Sequence, residues 1–375
     1  MRIAAAVTAL LVAAVIAGAT PAESGQRGGV EARHEEIQRR REALRQRQEL
    51  LRRARQDARR GPMASAPFTA LAKIGRQGSF TLFNLAGNVT ITASGGTDVR
   101  IDAVKRVWDR TEGDAKGRLS EIEIEVSERQ GAVDVRTVVQ RPRRPDAEVD
   151  FTIAVPAEAS VSVRTGSGDV TVTGIRGELR VEAVGGGIKA TSVGQVRLLR
   201  TLAGAITLEN ADGTDMTVST LGGTVTIRQL KARSADIRTV AGDLIISDSD
   251  AERVIAQSLN GRVELAGRLA RTGRYSLQSQ SGEVRLIPAD GDFELEAATV
   301  NGSLRSDFPI TADDRRELTG PRGRGAALGH GTGRAGRGLG RSDRGNARLL
   351  RGLSGNGGPL VTLRSFSGDI TITKR

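Results

Sequence analysis

The sequence predicts an all-β chain: a β-solenoid of about nine stacked coils of about nineteen residues, preceded by an N-terminal β leader and a charged α-helix. Three observations predict it. A glycine recurs at near-constant spacing, apolar residues hold fixed offsets on both sides of it, and period-two alternation runs through nearly everything after Phe68.

The glycines are Gly168, Gly186, Gly204, Gly223, Gly242, Gly261, Gly282, Gly302 and Gly368, separated by 18, 18, 19, 19, 19, 21, 20 and 66 residues. Two and four positions after them, seventeen of eighteen residues are apolar, from Val170 and Val172 to Ile370 and Ile372. A chain that is 38% hydrophobic would supply about seven by chance, so these positions form one dry strand face. Five positions before the glycine all nine residues are apolar. Three positions before it, eight are Thr or Ser, the exception being Ala183. Each unit therefore reads as strand, hydroxyl corner, small-residue turn at the glycine, strand and turn, with glycine chosen for its backbone freedom. A unit this short cannot bury a face alone, so neighbours must stack. At about 4.8 Å per coil, nine coils make a prism of roughly 40 Å. Consecutive hairpins in a large sandwich are the alternative; the unbroken apolar columns favour the solenoid.

In chain order, residues 1–22 read as a secretory signal: Arg2, an uncharged apolar run from Ile3 to Ala19, then small residues around Ala17-Gly18-Ala19 and Thr20-Pro21-Ala22. An uncleaved anchor is the alternative, because seventeen apolar residues reach the lower limit of a bilayer span, roughly 17–25. Either way the body is expected outside the cytoplasm: periplasmic, cell-surface or secreted. Residues 23–62 form a basic charged helix and linker, rich in Glu, Gln, Arg, Ala and Leu from Val30 to Arg60 and stopped at Gly61-Pro62. It reads either as a basic arm for an anionic surface or as a solvated spacer. Residues 67–156 are the β leader, with Gly95-Gly96 and Gly113-Asp114 as turns and no further helix expected. Residues 157–310 hold the regular repeats, 311–358 a Gly/Arg-rich insert whose composition predicts disorder, and 359–375 the terminal coil.

Charge and rare residues limit the chemistry. The net charge of +12 resides in residues 31–60 (+5) and 311–358 (+6), while the remainder is close to balanced. The basic character thus belongs to appendages, and no nucleic acid is expected as a partner. With no cysteine and only His34 and His330, neither a disulfide frame, a thiolate nucleophile nor a three-histidine metal site is available; no cofactor is implied.

The repeated small-Gly-x-Val-x-Val steps, Phe151-Thr152-Ile153-Ala154-Val155-Pro156 before the first regular coil, and the ending Ser365-Phe366-Ser367-Gly368-Asp369-Ile370-Thr371-Ile372 resemble the bacterial β-strand-repeat putative-adhesin family, a domain of unknown function. Leu85-Ala86-Gly87-Asn88-Val89-Thr90-Ile91 looks like its opening strand pair. The likeness covers roughly residues 79–375. It implies an exported, non-enzymatic β-solenoid at the cell envelope, and no functional residue carries over because the shared motif is structural.

Candidate sites are few. Asp243, Asp248 and Asp250 are the best acidic cluster for a polysaccharide-cutting solenoid, although turn chemistry explains acids that follow a turn glycine. Four positions before the glycine, Arg164, Arg200 and Arg238 fall on alternate coils, about 9.6 Å apart, a spacing that suits an anionic polymer or a mixed-sign solvated ladder. Expected partners are anionic envelope or surface polymers, with self-association through the terminal coil, whose last strand ends at Arg375 as an unprotected edge. Membrane contact would come through an uncleaved signal or surface electrostatics. A periplasmic sensory or scaffold module binding a protein partner is the other non-enzymatic reading.

Overall fold

The structure, a computed structural model, describes residues 63–140, 147–311 and 348–374. The export segment, the charged helix and most of the Gly/Arg-rich insert lie outside the described residues. The alternating segments form the strands their pattern predicts. The leader contributes β1 (Met63–Lys73), β2 (Ser79–Ala86), β3 (Val89–Ser94), β4 (Asp98–Trp108), β5 (Ile122–Arg129), β6 (Ala132–Val139) and β7 (Ala147–Pro156). Next come β8 (Ser160–Ser167), β9 (Val170–Thr173), β10 (Leu179–Gly185), β11 (Ile188–Val193) and β12 (Val196–Ala203). Three longer strands, β13 (Ile206–Gly222), β14 (Val225–Ala241) and β15 (Leu244–Asn260), continue their ladder around a corner where Asn210, Gln229 and Asp248 take left-handed backbone angles. The chain continues with β16 (Val263–Gly267), β17 (Arg274–Ser279), β18 (Val284–Pro288), β19 (Phe293–Thr299), β20 (Leu304–Ser306), β21 (Arg348–Ser354), β22 (Leu360–Ser365) and β23 (Ile370–Ile372).

Among the described residues one helix interrupts this pattern, correcting the expectation that none would follow Arg60: α1 (Glu112–Leu119), between β4 and β5. Its N-cap is Thr111, whose Oγ1 accepts the Asp114 N–H at 3.1 Å, and only Ala115 of its residues is buried. A two-turn helix with one buried residue leaves no periodic signal, and Gly113-Asp114, read as a turn, sits in its first turn.

Strands preceding the turn glycine stack in parallel on one face, so that Val163, Val181, Leu199, Val218, Ile237, Ala256 and Leu277 form a continuous register column. Strands following the glycine stack on the other face, carrying Val170, Ile188, Ile206, Val225, Leu244, Val263 and Val284 in one line. Both columns are fully buried, which is why the sequence keeps these offsets apolar.

At both ends the spatial order departs from chain order. β22 lies between β17 and β19, and β23 between β18 and β20. The last coil of the chain is thus second from the end of the stack, which corrects the expected unprotected edge: β23 has strand neighbours on both sides. The outer rung is β19–β20, covered on one face by antiparallel β21 and closed by Phe308, whose ring packs edge-on to Phe293 at 5.4 Å. The N-terminal end mirrors this. β2 and β3 pair inward with β8 and β9, while β6 and β7, later in the chain, pair outside them. Antiparallel β5 and the β4–β1 pair then complete the two faces.

The turn glycines form a single column that includes Gly87, and its steric basis differs from the sequence reading. A Cβ on Gly223 would sit 2.1 Å from the carbonyl oxygen of Gly204, and on Gly242 2.1 Å from that of Gly223. The same contact recurs from Gly168, against Gly87, through Gly282, then Gly368 and Gly302. Gly282, Gly302 and Gly368 lack the positive φ of the others yet are equally closed to a Cβ, so it is the close approach of stacked turns that excludes side chains. The hydroxyl three positions earlier completes the device. Thr201 donates to the Gly186 carbonyl at 2.9 Å, Thr220 to Gly204 at 3.1 Å, Ser279 to Gly261 at 2.8 Å and Thr299 to Gly368 at 2.9 Å. These hydroxyls are buried, and each meets the inward carbonyl of the neighbouring turn. Asn84 takes this place in the first coil, donating to the Gly87 and Val149 carbonyls while accepting from Thr137.

Candidate functional site

Asp243 does not join the other two acids of the trio. Asp243 Oδ1 accepts the Arg262 N–H of the next coil at 2.8 Å, with the Arg262 guanidinium 3.8 Å away. Asp169 likewise accepts from Gly187 at 2.8 Å, and Asp369 from Ser303 at 2.7 Å. An acid after the turn glycine therefore caps an amide of the neighbouring coil. Asp248 stands at the far corner of β15, five residues or about 16 Å along an extended strand, whereas glycosidase carboxyl pairs lie about 5–9.5 Å apart. Asp250 is past that corner, in register with Lys231. Among the described residues no cluster of three potential metal ligands occurs. The Ser303 amide bound to Asp369 holds that carboxyl below the ordinary aspartate range. Tyr275, buried, donates to the Ala251 carbonyl and accepts from the Ala270 amide; burial pushes its phenol up, and both its partners are backbone.

The arginine row forms as the offsets predict, with Arg364, at the same offset before Gly368, moved inward by one coil. Arg164, Glu182, Arg200, Ser219, Arg238, Gln257 and Gln278 follow one another in register, and insertion of β22 then brings in Arg364. Arg164 pairs with Glu182 at 3.4 Å and Arg238 with Asp236 at 2.8 Å. Arg200 and Arg364 make no ion pair among the described residues.

Beside this row runs a second one that the sequence reading missed. Two positions before the turn glycines the chain faces outward; three of these places hold Gly166, Gln280 and Val300, and at the others stand Leu85, Val184, Leu202, Leu221, Val240, Leu259 and Phe366. They are 37–57% exposed and make up most of the large exposed apolar side chains of the described residues. The signal was present in the sequence as an apolar residue recurring at the one offset where alternation calls for a polar one. Between the arginine row and the apolar row lies an open groove of about 710 Å³, floored by the hydroxyl row. Its lining contains Arg200, Arg238 and Arg364 and no carboxylate. Isolated exposed leucines are ordinary, whereas this row runs beside Arg200 and Arg364, which have no ion pair among the described residues, and Arg238, which Asp236 holds.

The comparisons with known proteins bear on the fold. A family model described as Toastrack DUF4097 matches residues 81–326, more than half of the chain. No curated protein matches. Among solved structures, one described as a putative adhesin from Bacteroides fragilis is 12% identical, covering 83% of this chain and 97% of that one with a TM-score of 0.37. A putative cell adhesion protein from Clostridium sporogenes is 7% identical over 83% of this chain and all of that one, TM-score 0.22. A putative lipid binding protein from Parabacteroides distasonis is 11% identical over 59% and 90%, TM-score 0.34.

Proposed function

Because the chain belongs to the Toastrack DUF4097 family, the resemblance read from its motifs holds, and we propose that it is a non-enzymatic, adhesin-like protein of the cell envelope that holds anionic envelope or surface polymers along its groove. The carrying observation is the groove itself, with three arginines, no carboxylate and a length of several coils. Engagement of Asp243 in a turn supports the non-enzymatic reading. The reading of residues 1–22 as a secretory signal supports a location outside the cytoplasm. Parallel stacking suits such a role: each coil repeats the same outward offsets, so a periodic ligand meets a periodic surface.

The test is cosedimentation of the protein with isolated cell envelopes at low and high salt. Salt-reversible sedimentation that weakens in the Arg200→Gln/Arg364→Gln variant is the expected result. Absence of sedimentation at both salts refutes the reading.

A further inference from the structure

We propose that the groove docks the protein on an anionic phospholipid leaflet, with the apolar row seated at the boundary between headgroups and acyl chains and the arginines on the phosphates. The proposal rests on the envelope-binding reading and names its ligand. A polyanion in water needs the arginines alone, and nothing in it would reward Leu202, Leu221, Val240, Leu259 and Phe366 for standing 37–53% exposed along one face. A glycan groove would stack sugars on aromatic rings, and Phe366 is the single aromatic of the lining. A second copy of the chain laid on this face would bring arginine rows together in a lining that holds no carboxylate. An anionic leaflet meets both rows at once, since apolar burial and phosphate attraction are the two forces that hold proteins in the plane of a membrane.

The geometry fits a planar target. From Leu202 to Phe366 the row passes Leu221, Val240, Leu259 and Gln280, five steps of about 4.8 Å or about 24 Å in a line. Insertion of β22 between β17 and β19 sets Arg364 beside Gln278 and Ser365 beside Ser279, so the final coil supplies the third arginine of the groove and its one ring. Had the chain stacked in sequence order, Ala298 would stand beside Gln278 and Arg364 one rung farther out.

The chain has no cysteine, so a single one can report locally without interference from the basic appendages. In the full chain, Leu221→Cys is labelled with an environment-sensitive nitrobenzoxadiazole dye, and Lys189→Cys, exposed on the opposite face, serves as control. The probes are vesicles of phosphatidylcholine alone, vesicles of phosphatidylcholine with phosphatidylglycerol, and soluble polyphosphate. The expected result is a blue shift at position 221 with the phosphatidylglycerol vesicles, quenched by a nitroxide on the acyl chain, and none at position 189. Adding Arg200→Gln/Arg364→Gln should weaken that response roughly tenfold or more. A dye at 221 that stays aqueous with every vesicle overturns the proposal. If polyphosphate still binds in that case, the envelope-polymer reading survives alone; if it does not, both fall.

Discussion

Two adjacent glycines provide a sharp test of the stacking argument. Gly222 and Gly223 occupy the same turn, yet an added Cβ meets nothing closer than 3.9 Å at Gly222, whereas at Gly223 it meets the Gly204 carbonyl oxygen at 2.1 Å and its carbon at 2.5 Å. To reach ordinary contact at 3.4 Å, the Gly223→Ala turn must withdraw by about 1.3 Å. That gap opens where the Gly204 amide donates to Gly222 at 2.9 Å, the Ile206 amide to Thr224 at 3.0 Å and the Thr220 hydroxyl to Gly204 at 3.1 Å. Weakening two or three such bonds costs about 1 kcal/mol each, and an alanine at φ +154° adds about 1–3 kcal/mol of backbone strain. Gly223→Ala should therefore destabilise by about 3–6 kcal/mol. Gly222→Ala should lie within about 1 kcal/mol of the parent and on the stabilising side, because alanine narrows the unfolded ensemble. Urea unfolding followed by far-ultraviolet circular dichroism measures both, read as midpoint shifts at constant slope. If the two variants differ by less than about 1 kcal/mol, the turns yield independently and the column is not a steric stack.

Ala183 leaves the Gly168 carbonyl without the hydroxyl that other coils provide, so Ala183→Thr should add about 1 kcal/mol in the same denaturation assay; a loss of stability would show that the site cannot seat the branch. Asp369 has a depressed pKa when folded, so its contribution is present above the unfolded aspartate value and is lost as pH falls through the lower folded value. Asp369→Asn should thus show a shallower acid-side decline in midpoint than the parent, and an unchanged pH profile would mean that the Ser303 contact does not bias the carboxylate. Deleting residues 359–374 removes an inner rung and leaves β17–β18 and β19–β20 without the ladders that join them. Broad hydrogen-exchange protection should be lost through β17–β20, whereas loss confined to the immediate C-terminus would contradict the inserted order.

Much of the fold was legible because burial imposes an offset code. Val163, Val170 and Val172 and their counterparts had to be apolar, and sequence spacing alone displays that. The hydroxyl row was visible as Thr and Ser but its purpose was not: the acceptor of Thr220 is Gly204, sixteen residues earlier, and only stacked register brings the two together. Asp243 was readable as a turn acid for the same local reason that made it a poor catalyst. The position of β22–β23 was illegible, because the pattern around Gly368 matches that around Gly302, and residues with equivalent local chemistry do not specify which coil lies outside. The groove was missed for a different reason. Its apolar row faces water, whereas the sequence pattern was sorted by what must be dry, and Leu221 or Val240 carries no mark of its direction until the register is known.

The inserted last coil also determines how the molecule meets force. In a solenoid stacked in chain order, a pull at the C-terminus peels the outermost rung, breaking one ladder bond by bond from a free edge. Here β22 is bonded to both β17 and β19, and β23 to both β18 and β20. Tension on this tail must shear two ladders together and drag a wedge from between its neighbours. The first strand pair of the stack, β2–β3, is held the same way beneath β6 and β7. Behind the edge strand β1, which pairs only with β4, the two ends of the solenoid are thus clamped by segments nearer the middle of the chain, and unravelling from the C-terminal end begins with rupture of an interior contact.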